Sequence, residues 1–147
     1  MSFLKPAESY AKAELNDMIE RVKRGDRSLV YELVVFTLAE SWGIWHGRAR
    51  AKICRYLRNH PPDATLQSKL VDTVCTRLET GRFSQQFRDQ LRMAIRFSAD
   101  RMRLLADSLL SSEKMYIRRS AAWVLQRIAS HDALVIKAMD KSWRSKR

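Results

Sequence analysis

The chain has 147 residues, with 28 Lys+Arg against 16 Asp+Glu and a formal net charge of +12. Hydrophobic residues make up 46%, too many for wholesale disorder, and the length suits one domain with its own core. The longest apolar run, Leu33 to Ala39, is interrupted by Thr37 and falls far short of the roughly 20 residues that span a bilayer.

Only four Gly and three Pro occur, and they sit at breaks between periodic segments, which predicts an all-α protein. Pro6 opens a first helix that runs to about Arg24, stops at Gly25 and carries Leu15, Met18, Ile19 and Val22 at helical spacing. The second helix spans about 28–42 and is apolar around most of its surface, which makes it central. Gly43 and Gly47 bracket a turn, and the third helix then runs to Asn59, where His60-Pro61-Pro62 ends it. Asp63 or Thr65 caps a fourth helix that reaches Thr80 and stops at Gly81. The fifth runs from Ser84 to Phe97, and the sixth from Ser98 or Asp100 to Leu110. A seventh starts at Ser111 or Ser112 and ends near Ser130. Asp132 opens an eighth, expected to bury Leu134, Val135, Ala138 and Met139 and to fray into a mobile basic tail at 143–147.

Cys54 and Cys75, the only cysteines, form no CxxC pair and fall on apolar faces of predicted helices. They are expected to be reduced core thiols, which suits a cytosolic protein. The first twenty residues hold four acids and two lysines and no apolar stretch, so no secretory signal is expected and a cytoplasmic location is.

Three helices share a pattern of a small or apolar residue, then Arg, then apolar residues at offsets 4, 7 and 8. It reads Ala49, Arg50, Ile53, Tyr56, Leu57; then Phe87, Arg88, Leu91, Ala94, Ile95; then Ile117, Arg118, Ala121, Val124, Leu125. The offsets between copies suit helical-hairpin repeats. On these residues, and most clearly over 105–125, the chain resembles the HEAT-like α-solenoid family. The resemblance implies a short right-handed α-solenoid over 1–147: about three helical hairpins between N- and C-terminal capping helices. An irregular helical bundle is the alternative. It also implies a binding scaffold, with the shared arginine, above all Arg118, pairing with an acid of a neighbouring repeat.

The positive charge is concentrated. Residues 21–60 carry nine basic and three acidic side chains, and residues 81–103 carry six and two. Arg48, Lys52 and Arg55 fall on one face of the third helix, with Asn59 continuing it. Arg88, Arg92 and Arg96 fall on one face of the fifth. Like charges at i, i+4 destabilise a helix by about 0.2–0.5 kcal/mol per pair, and a row of phosphates would relieve that repulsion. The competing reading is a solvated face, or pairing with Asp72, Glu79 or Asp107 of neighbouring helices.

The segment Trp42-Gly43-Ile44-Trp45-His46-Gly47-Arg48 is the most unusual. Trp42 continues the second helix and is expected to close the end of the core. Trp45 and His46 are candidates for stacking on unpaired bases or anchoring a protein partner. Gly81-Arg82-Phe83 occupies the equivalent turn of the next hairpin, so Arg48 and Arg82 can line one edge.

His46, His60 and His131 have no i+4 partner histidine, and no phosphate-cradling glycine loop or nucleophile elbow is present. The expectation is a non-enzymatic module without cofactor or metal, binding an anion through Arg48, Lys52, Arg55, Arg82, Arg88, Arg92 and Arg96. Nucleic acid, held mainly by its phosphates, is the leading partner, and an acidic protein surface is the rival. A HEAT-like DNA glycosylase using Trp45, Trp123 and an acid is a remote third.

Overall fold

The computed structural model describes residues 5–144, with side chains through Lys141. Among the described residues there are seven α-helices, two short 3-10 helices and no strand. The helices are α1 (Lys12–Lys23), α2 (Val30–Leu38), α3 (Ile44–Asn59), α4 (Ala64–Thr80), α5 (Phe87–Phe97), α6 (Ala99–Leu109) and α7 (Met115–Arg144). No helix is long and apolar enough to cross a membrane. The chain groups into two compact units that divide between Phe97 and Ser98.

In the first unit, α2 packs on both α3 and α4, α3 packs on α5, and α4 packs on α5; α1 lies against α3. The core is drawn from every helix, with Leu15, Phe36, Ile53, Leu57, Leu70, Leu78, Leu91 and Met93 all fully buried. Cys54 and Cys75 are free and buried, and burial pushes the Cys54 thiol up to about 12. In the second unit, α6 and α7 form a hairpin that buries Met102 and Ala106 from one helix and Ile117, Ala121, Val124 and Ile128 from the other.

The predicted breaks at Gly25, His60-Pro61-Pro62 and Gly81 all hold. Gly81 closes α4 in the left-handed conformation, at φ 73°, and Asp63 caps its start by accepting from the Leu66 N–H at 2.9 Å. Several predicted starts shift by a few residues, with α3 beginning at Ile44 and not after Gly47, α5 at Phe87 and not Ser84, and α7 at Met115 and not Ser111 or Ser112, and three larger changes accompany them. The first helix is divided: a 3-10 turn, Ala7–Ser9, precedes α1, and Pro6 stands before that turn. The second ends at Leu38, not Trp42: Ala39 turns extended at ψ 148°, and two arginines from other helices satisfy the carbonyls left at the helix end.

The third change is at the C-terminal end. No break separates a seventh from an eighth helix, and α7 runs unbroken through Ser130-His131-Asp132. Its second half is not a capping helix with a buried side: Leu134, Ile136 and Met139 are each about two-thirds exposed. The reason is length. Eleven residues of α6 span about 16 Å, against about 45 Å for thirty in α7, so α6 runs out as a partner near the Arg103–Asp132 ion pair. Of the tail expected at 143–147, residues 143 and 144 continue the helix, and the rest lies outside the described residues.

Candidate anion-binding face and adjoining cleft

The two basic stripes lie on helices that pack directly against each other, α3 and α5. They meet at Asp89, the one acid that the sequence of α5 offers beside Arg92 and Arg96, and its second partner, Arg55, comes from α3. The Asp89 carboxylate accepts from Arg55 of α3 at 2.7 Å and from Arg92 of α5 at 3.2 Å. It is the buried member, with a side chain 11% exposed against 44% and 32% for the two arginines. One carboxylate thus serves two guanidinium groups and leaves a net positive charge at the junction. Around it Arg48, Lys52, Arg88 and Arg96 are exposed.

Beside the junction, a hollow of about 300 Å³ is lined by Lys23, Lys52, Arg55, Tyr56, Asn59 and His60. The Tyr56 and His60 rings stack at 4.4 Å and 10°, one turn apart on α3. Lys23, from the last turn of α1, adds a cation that the stripe spacing did not include.

A second concavity lies between the α2–α3 turn and the α4–α5 turn. Gly43 caps the start of α3 at φ 126°, a conformation that favours glycine, and no side chain caps the first N–H groups. Gly47 is not part of the turn. It lies inside α3, where an added Cβ would stand 2.8 Å from the Gln85 backbone nitrogen. The missing side chain therefore lets the first turn of α3 approach the α4–α5 turn. Between the α2–α3 and α4–α5 turns is a cleft of about 520 Å³, walled by Glu40, Trp42, Arg50, Arg77, Arg82 and Phe83.

Two arginines in that wall are almost wholly buried, Arg50 at 2% and Arg77 at 3% exposure. Arg77 of α4 is fully engaged. Its Nε donates to Glu40 at 2.9 Å, one Nη to Gln90 at 2.8 Å, and the other Nη to the Thr37 carbonyl at 2.8 Å. Arg50 of α3 donates to the Ala39 carbonyl at 2.8 Å and to Ser41, and its guanidinium lies 4.8 Å from the centre of the Phe36 ring. Both cations sit at the C-terminal end of α2, where the helix dipole favours positive charge. Among the described residues Arg50 differs in making no ion pair, with Glu40 acting on it only from a distance, and its buried Nε has no acceptor. Burial, and then Arg77 beside it, lowers Arg50 to about 10, so it remains charged at neutral pH.

The aromatic expectations are redistributed. His46 is not a stacking anchor: it is 3% exposed, shares a hydrogen bond with Ser41 through Nδ1, and sits 5.5 Å from the Phe36 ring. Burial, and then Arg50, holds its pKa below the ordinary histidine value. Trp45 is half-buried, edge-on to His46 at 3.8 Å. Trp42 is the exposed ring, at 87%, because α2 stops four residues before it and leaves it in the turn. Arg118 donates to the Ser112 carbonyl at 2.6 Å, not to an acid of another repeat. Among the described residues no cluster of His, Cys, Asp and Glu is arranged to hold a metal.

Sequence reasoning missed Arg77 altogether, along with the role of Asp89. Arg77 does carry a signal: it lies between Val74 and Leu78 on the apolar face of its helix, where a lone cation needs buried acceptors. Comparisons with protein-family models, with curated proteins and with solved structures find no match to this chain.

Proposed function

We propose that the face formed by α3 and α5 binds the phosphate backbone of nucleic acid, with no catalytic role. Arg48, Lys52, Arg55, Arg82, Arg88, Arg92 and Arg96 supply the contacts, and Lys23 extends the face at the α1 side. The observation that carries the reading is the junction at Asp89. A single carboxylate joins Arg55 to Arg92 and so sets the two stripes side by side. One carboxylate shared by two guanidinium groups leaves the junction net positive, and a phosphate oxygen is the complementary charge. Contacts of this kind position a backbone without reading bases.

The packing of α2 on α4 and of α3 on α5 supports reading the first unit as two stacked hairpins of a short right-handed solenoid, with α1 as its cap. In that arrangement, equivalent helices of successive repeats present one continuous basic surface.

The test is titration of mixed-sequence DNA and RNA, single-stranded and duplex, with the whole chain and with a variant carrying Arg88→Gln, Arg92→Gln and Arg96→Gln. Binding at low salt that weakens in the variant upholds the reading. A nuclease-resistant complex with an acidic protein, and no nucleic-acid binding, would replace it with the adaptor reading.

A further inference from the structure

The cleft between the α2–α3 and α4–α5 turns has properties that the basic face does not account for. Its wall contains a buried guanidinium without a carboxylate. Arg50 is held by the Ala39 carbonyl, Ser41 and the C-terminal end of α2, neutral or partial-charge partners that leave its full positive charge without an ion-pair partner. Among the described residues Glu40 is the one acid lining the wall, and its carboxylate is held by Arg77. Arg50, Arg77 and Arg82 against Glu40 leave the wall with an excess of positive charge.

Two further features point the same way. The N-terminus of α3, a sixteen-residue helix, opens at the cleft through Gly43 and Ile44, and no side chain caps its N–H groups. An anion there meets both backbone donors and the positive end of the helix dipole. The rest of the wall is aromatic. Trp42 stands 87% exposed, and Phe83, stacked on Phe87 at 4.7 Å, lies across the α4–α5 turn. A cleft of about 520 Å³ is far larger than a phosphate ion and falls in the range of small-molecule sites.

We propose that this cleft binds a nucleotide. The phosphate sits at the start of α3, compensating Arg50 and reached by Arg82, and the base stacks on Trp42. The site shares only Arg82 with the α3–α5 face and does not depend on that face binding nucleic acid. The nucleotide can be free or can be the 5′-phosphorylated end of a strand, since both present the same group.

The experiment is calorimetric titration of the whole chain at about 150 mM salt, where weak surface contacts are screened. The probes are adenosine and uridine 5′-monophosphates, the matching nucleosides, and inorganic phosphate. The monophosphates should saturate one site with a dissociation constant below about 1 mM, and the nucleosides and inorganic phosphate should each bind at least about tenfold more weakly. Trp42→Ala, at an exposed position, should weaken the monophosphates by about fivefold or more while the chain keeps its melting temperature. Arg82→Gln, also exposed, should weaken the monophosphates and leave the nucleosides unchanged. Both variants avoid the buried Arg50, whose loss can unfold the unit.

No saturation by either monophosphate overturns the proposal. So does full affinity in Trp42→Ala, or inorganic phosphate binding as tightly as the nucleotides. Competition with single strands then identifies the source. Displacement by a 5′-phosphorylated strand, and not by its 5′-hydroxyl counterpart, supports a strand end; displacement by neither supports a free nucleotide. Because the mononucleotide reads the cleft and duplex binding reads the α3–α5 face, each can fail with the other standing.

Discussion

Gly47 has no room for a side chain. A Cβ there would stand 2.8 Å from the Gln85 nitrogen and about 3.1 Å from the Gln85 Cβ, and the first of these neighbours is backbone that cannot swing aside. Gly47→Ala should therefore lower the unfolding free energy by about 1–3 kcal/mol in urea, even though alanine favours helix. An unchanged or raised midpoint would show that the first turn of α3 and the α4–α5 turn are not in contact. Arg77→Met should cost about 3 kcal/mol or more, because it strips buried carbonyls of α2 and the Gln90 amide of their donor. His46 sets a pH dependence. Its folded pKa lies below the unfolded value, so between the two the unfolded chain binds more protons. Stability from this residue is full above about pH 6.5 and falls as the pH drops below that value. The urea midpoint should decline from pH 7.5 to 5.5, and His46→Gln should flatten the decline. An identical decline in the variant would assign it to other groups. None of these three roles follows from spacing alone. A glycine in a helical pattern, an arginine on an apolar stripe and a histidine beside two tryptophans are ambiguous until the opposing element is in place.

At the scale of elements, helix limits set by local chemistry were legible, and those set by distant partners were not. Gly81 ends α4 and Asp63 begins it through interactions within a few residues, which a sequence displays. The carbonyls at the end of α2 are satisfied by Arg50 and Arg77, lying 11 to 40 residues further on, so its stop at Leu38 was hidden and with it the exposure of Trp42. Ser130-His131-Asp132 looked like a cap, but polar residues on an exposed face do not break a helix by themselves. The stripes on α3 and α5 were legible from spacing. Their junction was not, because Asp89 had to be carried to Arg55 across the packing of two helices. Asp89→Asn separates its two effects. It should lower the stability of the first unit by about 1–3 kcal/mol by removing a charged acceptor shared by two arginines. It should also tighten nucleic-acid binding at low salt, since one negative charge leaves the face. Weaker binding with unchanged stability would show that Asp89 does not link the stripes.

For the molecule as a whole, the +12 charge has a distribution that composition alone conceals. Arg50 and Arg77 are buried and hold the end of α2, whereas Arg21 pairs with Asp26, and Arg103 with Asp100 and Asp132, at the surface. The proposed function uses the cations of α3 and α5, two of which, Arg55 and Arg92, share the single carboxylate of Asp89. The most direct test is the salt dependence of binding to a mixed-sequence DNA duplex. Six or seven phosphate contacts should make log K fall against log salt with a slope of about −5 to −6. In the variant with Arg88→Gln, Arg92→Gln and Arg96→Gln, the slope should be shallower by about 2 to 3. A slope that is the same in both proteins, or no binding at about 50 mM salt, would contradict the assignment of this face.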